Sequence, residues 1–159
     1  MTQDEKFMRE ALKEAGKAAD KGEVPIGAVI VSGGKIIARG HNQPIGRNDP
    51  TAHAEIIAIR KACSKRGNYR LSDSVLYVTL EPCAMCLGAI VQARIDRVVF
   101  GALDPKAGAV LSVMTFPMDK TNHRMEILGG VLAGECGRVL KDFFRERRAR
   151  PSSRGLFSG

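Results

Sequence analysis

VLYVTLEPCAMCLGAIVQARIDRVVFG, residues 75–101, decides the fold. Its first six residues are almost continuously apolar, the composition of a strand covered on both faces. Pro82 then opens a helix expected to run to about Gln92, and RVVFG at 97–101 is a second buried strand. Two strands joined through a helix are expected to lie parallel, since a tight hairpin can only return the chain antiparallel.

Upstream of this unit, residues 4–21 carry Phe7, Met8, Ala11, Leu12, Ala15, Ala18 and Ala19 as a helical stripe. IGAVIVS (26–32), the turn Gly33-Gly34 and KIIARGHN (35–42) read as a β-hairpin. QPIGRNDP (43–50) has loop chemistry, and Asp49 or Thr51 is expected to cap a helix that reaches about Lys65. Downstream, ALDPKAGA (102–109) is a loop, a short helix is expected over 109–114, and MEILGGVL (125–132) holds the last strand. A helix over 133–149 closes the chain, and 151–159 is expected to be a frayed tail. The order predicts one α/β domain over residues 1–150, a three-layer α/β/α sandwich around a central mixed five-stranded sheet.

The charge distribution narrows the partners. Of a formal net charge of +8 over 159 residues, the stretch from Arg138 to Arg154 carries +5, with seven basic residues against Asp142 and Glu146. Such clustering suits a phosphate backbone, because each neutralised phosphate releases counterions, although a solvated basic helix has the same composition. No run of about 18 apolar residues occurs, and the N-terminus is charged and helical, so the expected location is the cytoplasm and no membrane is involved. In that setting Cys63, Cys83, Cys86 and Cys136 are expected to be thiols or metal ligands and not a disulfide framework.

The chemistry gathers in two short motifs. Cys83 and Cys86, three apart at a helix start, lie on one face where the helix N-terminus favours thiolate. Far upstream, TAHAE at 51–55 sets His53 two residues from Glu55, about 200° apart on an ideal helix and so unable to share its side. The spacing becomes useful if the pocket lies off the helix end: His53 then completes a three-ligand zinc site with Cys83 and Cys86, and Glu55 faces the reacting water. Zinc, two thiolates and a neutral imidazole sum to no net charge, so activation of the water must lean on that base. His53-x-Glu55 with Pro82-Cys83-x-x-Cys86 fills the signature of the zinc nucleobase deaminases.

VPIGAVIV (24–31), NQPIGRNDPTAHAEI (42–56), NYRL (68–71), LYVTLEPCAMC (76–86), RVVFGALDPKAGA (97–109), NHR (122–124) and DFFRERR (142–148) extend the match well beyond that signature. In these segments the chain resembles the bacterial tRNA-specific adenosine deaminases of the cytidine/deoxycytidylate deaminase superfamily. The resemblance implies a cytidine deaminase-like fold, one Zn2+ per subunit, a homodimer, and conversion of the wobble adenosine of a tRNA anticodon loop to inosine. It implies that Glu55 moves a proton from water at the zinc to N1 of the adenine while C6 is attacked and ammonia leaves. It also implies that Asn42 and the Ala54 backbone hold the flipped base and that Ile26 and Val29 shape its pocket. Asp104 and Lys106 would sit over neighbouring nucleotides, and Phe144, Arg147 and Arg148 would hold the anticodon loop.

Several of these residues suit simpler roles as well. Asn42 and Asp104 are turn formers, and only one of Phe143 and Phe144 can face a given side of the last helix. Cys63 and Cys136 are expected to be packed thiols, and His41 and His123 hydrogen-bonding residues. The helix AMCLGAIVQA still needs cover for Met85, Leu87, Ile90 and Val91 after its cysteines are assigned, which a partner subunit could supply. SVMTFPMDKT (112–121) has no assigned role. Two other functions share parts of the pattern. A deaminase of a free base or nucleoside would keep the zinc core without needing the basic terminus, and a noncatalytic zinc-stabilised RNA-binding module would not need Glu55.

Overall fold

The computed structural model describes residues 1–150; the tail expected over 151–159, with Arg154, lies outside the described residues. Helix α1 (Gln3–Asp20) begins with a capping box, in which the Thr2 hydroxyl accepts the Glu5 N–H and the Glu5 carboxylate accepts that of Thr2. Strands β1 (Gly27–Ser32) and β2 (Lys35–His41) form the hairpin, and a one-turn helix α2 (Pro44–Arg47) stands where only loop was expected. Then follow α3 (Ala54–Arg66), β3 (Ser74–Leu80), α4 (Ala84–Gln92), β4 (Arg97–Ala102), β5 (Glu126–Leu128) and α5 (Ala133–Ala149).

The sheet order is β2-β1-β3-β4-β5, with β1 antiparallel to both β2 and β3 and the β3/β4 and β4/β5 pairs parallel. This is the expected mixed five-stranded sheet, and helices cover both faces. On one face α3 and α4 bury Ala54, Ala58, Leu87 and Ile90 against Ile30, Leu76, Val78 and Phe100. On the other, α1 and α5 bury Phe7, Met8, Ala11 and Cys136 against Val29, Val31, Tyr77 and Val99. Full burial of each large aliphatic side chain is worth about 1.5–3 kcal/mol, and the alternating set on each strand makes any one-residue slip of register costly.

The last strand lies within 125–132 as expected and ends at Leu128, because Gly130 turns at φ 93° and Gly129 passes so close over Phe100 that a Cβ would meet its ring. Two local expectations fail for identifiable reasons. No helix forms over 109–114, since the N–H groups of Val110, Leu111 and Ser112 point to the Glu81 carboxylate instead of to helical carbonyls. Neither Asp49 nor Thr51 caps α3: Asp49 accepts from Thr51, and His53 is the N-cap residue.

Because β3 and β4 are parallel, Cys83 after one and the 102–109 loop after the other emerge at the same edge of the sheet. That carboxyl edge is where open α/β sheets place their ligands.

Candidate active site

His53 and Cys83 occupy equivalent places, each the N-cap of its helix with extended backbone (φ −73°, ψ 155° and φ −81°, ψ 173°). The helical angle between His53 and Glu55 therefore does not apply, since His53 stands outside the α3 spiral and Glu55 inside it. Helix α4 begins at Ala84, two residues later than Pro82 suggested, which frees Cys83 to turn toward His53. His53 Nδ1 lies 3.6 Å from Cys83 Sγ and 3.5 Å from Cys86 Sγ, and the three ligand atoms all fall within 4.8 Å of one another.

These distances test the fit of a metal. Tetrahedral zinc with Zn–N of about 2.05 Å and Zn–S of about 2.3 Å sets its nitrogen and sulfur ligands about 3.6 Å apart. The donor set and both N···S edges agree with that geometry. The electrostatics agree as well: the adjoining Cys86 thiol and the His53 ring hold the Cys83 thiol down at about 4, so a thiolate is present at neutral pH. Cys83 in turn raises His53, and Cys83 together with burial raises Cys86. Glu55 is buried beside the cluster, close enough to feel His53 and Cys86, and burial pushes its carboxyl up to about 7.

Asn42 is the hinge between this cluster and the hairpin. Its backbone N–H donates to Ile26 O at 3.1 Å, and its side-chain Oδ1 accepts the Ala54 N–H at 2.9 Å. The Ala54 N–H is thus engaged by Asn42, while the Asn42 carboxamide keeps its two donors. Ile26 packs on the α3/α4 side of the sheet, against the cluster that includes Ala54 and Leu87. Val29 does not: it belongs to the Phe7 and Met8 cluster on the opposite face, so the pocket role expected for it is corrected.

Glu81 is the residue whose role the motif reading missed. It is 2% exposed, and its carboxylate accepts the N–H groups of Asp104 (3.0 Å), Val110 (3.0 Å), Leu111 (2.8 Å) and Ser112 (3.0 Å) together with the Ser112 hydroxyl. Burial alone would raise this carboxyl, but those donors hold it down at about 2. Gly108 passes so near that a Cβ there would lie 2.3–2.6 Å from the carboxylate atoms. The signal was present in LEPC, but its partners lie 23–31 residues downstream. Asp104 has its own turn role, accepting from Lys106 N and Ala107 N.

Helix α5 completes the rim. Phe143 is buried (9% exposed) and Phe144 half-exposed (38%), which settles which phenyl faces out. Lys106 Nζ sits 5.8 Å from the Phe144 ring centre, and Lys106, Lys141, Phe144, Arg145 and Arg148 line a surface depression of about 380 Å³. Arg147 is turned to the other flank, where its guanidinium stacks 5.1 Å from Phe143. The structure therefore brings Lys106, Phe144 and Arg148 together but not Arg147. Of the remaining thiols and imidazoles, Cys63 meets the Tyr69 carbonyl, Cys136 is buried, His123 Nε2 lies 2.6 Å from Ile95 O, and His41 Nε2 lies 3.4 Å from Lys21 Nζ. On α4, Leu87, Ile90 and Val91 are buried within the chain, whereas Met85 is left exposed. No helix among the described residues is long and apolar enough to cross a membrane.

Comparison with known proteins agrees with this geometry. The MafB19-like deaminase family model matches residues 2–148. The tRNA-specific adenosine deaminase of Bacillus subtilis is 53% identical over 149 residues, covering 93% of this chain and 92% of that protein. The Haemophilus influenzae enzyme of the same name is 54% identical over 147 residues, covering 91% and 85%. A solved structure from work on A-to-I editing by tRNA:A34 deaminases at the wobble position of transfer RNA superimposes with a TM-score of 0.81. It is 48% identical and covers 85% of this chain and 99% of that one.

Proposed function

Because this chain belongs to the tRNA-specific adenosine deaminase family, we propose that it hydrolyses adenosine to inosine at the wobble position of a tRNA anticodon loop, releasing ammonia. The observation that carries this is a buried carboxylate, Glu55, set beside a His-Cys-Cys cluster whose spacing fits tetrahedral zinc. His53, Cys83 and Cys86 hold one Zn2+ per subunit, and the metal supplies the Lewis acidity that makes water a nucleophile near neutral pH.

The chain's own groups do the rest. Glu55 accepts one proton of the attacking water and delivers it to N1 of the adenine, which makes C6 electrophilic. It then carries the second proton of that water to the amino nitrogen, so that the C6–N bond breaks with ammonia leaving as the C6 carbonyl forms. Asn42 orients the base through its free amide donors, against the wall formed by Ile26 and the first turn of α3 at Ala54. Asp104 and Lys106 meet the flanking nucleotides, and Phe144 with Arg148 takes the loop by stacking and phosphate pairing. Arg147 contributes charge from the far flank of α5. A base splayed in an anticodon loop is cheaper to extract than a paired one, which favours this substrate over duplex. The unit acts as a homodimer in the cytoplasm, where its tRNA is found; the exposed Met85 on α4 belongs to the subunit contact, and residues 1–150 form the catalytic domain.

Incubation with an adenosine-containing anticodon stem-loop, free adenosine and free guanine tests this directly. Inosine from the stem-loop is expected; ammonia from guanine alone would identify a free-base deaminase, and no turnover of any substrate by zinc-loaded protein would favour a binding module.

A further inference from the structure

We propose that Glu81 is a positioning residue for RNA: its buried carboxylate fixes the loop after β4 so that Asp104 and Lys106 are presented at the mouth of the site. The proposal rests on the RNA substrate proposed above. Its physical basis is the balance of donors and acceptors. Four backbone N–H groups and one hydroxyl converge on the two oxygens of one side chain, and the peptide that carries the clamp also leads into Cys83. Pro82 O accepts the Ala109 N–H at 2.9 Å, so the loop is stitched to the metal-bearing segment at two successive residues.

Beyond this carboxylate the loop is held by backbone bonds, Gly108 N–H to Asp104 O and Phe116 N–H to Ala109 O among them, and by Ala109, Val110 and Phe116 packed on the α3/α4 core. Leu103, Leu111, Val113 and Met114 point outward, so the 103–107 stretch that carries Asp104 and Lys106 depends chiefly on Glu81 and on the Asp104 turn for its place. A carboxylate is the side chain suited to this place, because only an anion with acceptor oxygens alone can take five donors without presenting a hydrogen to any. Gly108 allows the loop to wrap onto that anion; a side chain there would occupy the space of the carboxylate. Asp104 is tied at both ends, its N–H to Glu81 and its side chain to the Lys106 amide, so the carboxylate's position is transmitted directly to both RNA-facing residues.

Three variants test the proposal: E81Q, whose amide must turn a hydrogen toward donors; G108A, which presses on the carboxylate from the loop side; and S112A, which removes an exposed donor and should leave the fold intact. Amide hydrogen exchange in E81Q is expected to accelerate at least about ten-fold at Val110, Leu111 and Ser112, with β1 and β3 unchanged. On an anticodon stem-loop, KM is expected to rise about ten-fold in E81Q and G108A and about three-fold in S112A, with kcat changed less than about three-fold and zinc at one per chain. Unchanged exchange and unchanged KM in E81Q overturn the proposal. So does a fall of zinc content and kcat at constant KM, which would make Glu81 a support of the metal segment alone. If E81Q does not fold, the S112A and G108A results decide on the same criteria. The exchange measurement does not depend on the substrate, so a wild-type protein inactive on RNA would sink the functional proposal, and faster loop exchange in E81Q would still establish the clamp.

Discussion

The Oδ1 of Asn42 accepts the N–H of Ala54 at 2.9 Å, so the end of the hairpin caps the helix that begins beside His53. This one bond ties a proposed base-binding residue to the helix start beside the proposed metal ligand His53, and the two functions of Asn42 can be separated. Asn42→Ala leaves the buried Ala54 N–H unpaired and is expected to cost about 1–3 kcal/mol in thermal or urea unfolding. Asn42→Asp keeps the acceptor but loses both amide donors. It should lose less stability than the alanine variant while losing at least about ten-fold in kcat/KM on a stem-loop. Equal activity in wild type and Asn42→Asp would confine Asn42 to capping.

Glu55→Gln separates chemistry from metal binding. The glutamate is not one of the three proposed ligands, so zinc content measured by mass spectrometry should stay near one per chain. Deamination should fall by about 10²–10⁴-fold or more, the usual contribution of a positioned proton carrier. Burial disfavours the charged form of Glu55, so removing that charge should leave the melting temperature equal or higher. A variant that keeps its activity would refute the assigned proton transfer.

Removing the metal should unload stability as well as activity. His53 and Cys83 are N-caps without side-chain capping bonds, so an ion held by the cluster would tie the beginnings of α3 and α4 together in addition to the packing of Ala54, Ala84 and Leu87. Chelation is expected to lower the melting temperature and abolish turnover, and about one equivalent of zinc should restore both. Cys83→Ser should show both losses without rescue by zinc at that concentration, whereas Cys63→Ser, which touches only the Tyr69 carbonyl, should behave as wild type.

The contrast between legible and illegible features follows from range. The hairpin, the β3-α4-β4 unit and α5 show in the sequence because each rests on local periodicity. The His53-Cys83-Cys86 cluster shows because a metal site at helix N-termini would restrict residue type and spacing together. Val29 was misplaced because β1 is buried on both faces, so its unbroken apolar run hides which residues face α3 and which face α1. Phe143 and Phe144 posed the same ambiguity one helix later. Glu81 was overlooked because its partners are backbone amides, which any residue supplies, and they lie in a distant loop that it draws out of helical form.

Stability at acid pH should report the tie between α1 and β4. Asp4 accepts from both terminal nitrogens of the Arg97 guanidinium at 2.8 Å and from the Tyr77 hydroxyl at 2.8 Å, and the Arg97 contact leads in holding its carboxyl below the ordinary 3.8. A depressed folded value means that the stabilisation is complete above the unfolded value and is lost as pH falls through the folded one. Asp4→Asn is therefore expected to be less stable than wild type by about 1–2 kcal/mol at pH 7. The two unfolding curves should converge below pH 3.8. A gap that persists undiminished at pH 2 would mean that packing, and not charge, accounts for the difference.

The two arginines at the end of α5 should differ in their effect on RNA. Arg148 lines the depression shared with Lys106 and Phe144, whereas Arg147 stacks on Phe143 at the opposite flank. If Arg148 pairs with a phosphate, Arg148→Ala should weaken stem-loop binding and lower the slope of log affinity against log salt by about 0.7–0.9. Arg147→Ala removes the same charge from a place farther from the groove, so its slope should change by less than half as much. Phe144→Ala should weaken binding without altering the slope, since stacking releases no counterions. Fluorescence anisotropy of a labelled stem-loop across a salt series measures all three. Equal slopes for the two arginine variants would show that α5 acts as a diffuse basic surface and that the depression around Phe144 is not where the anticodon loop docks.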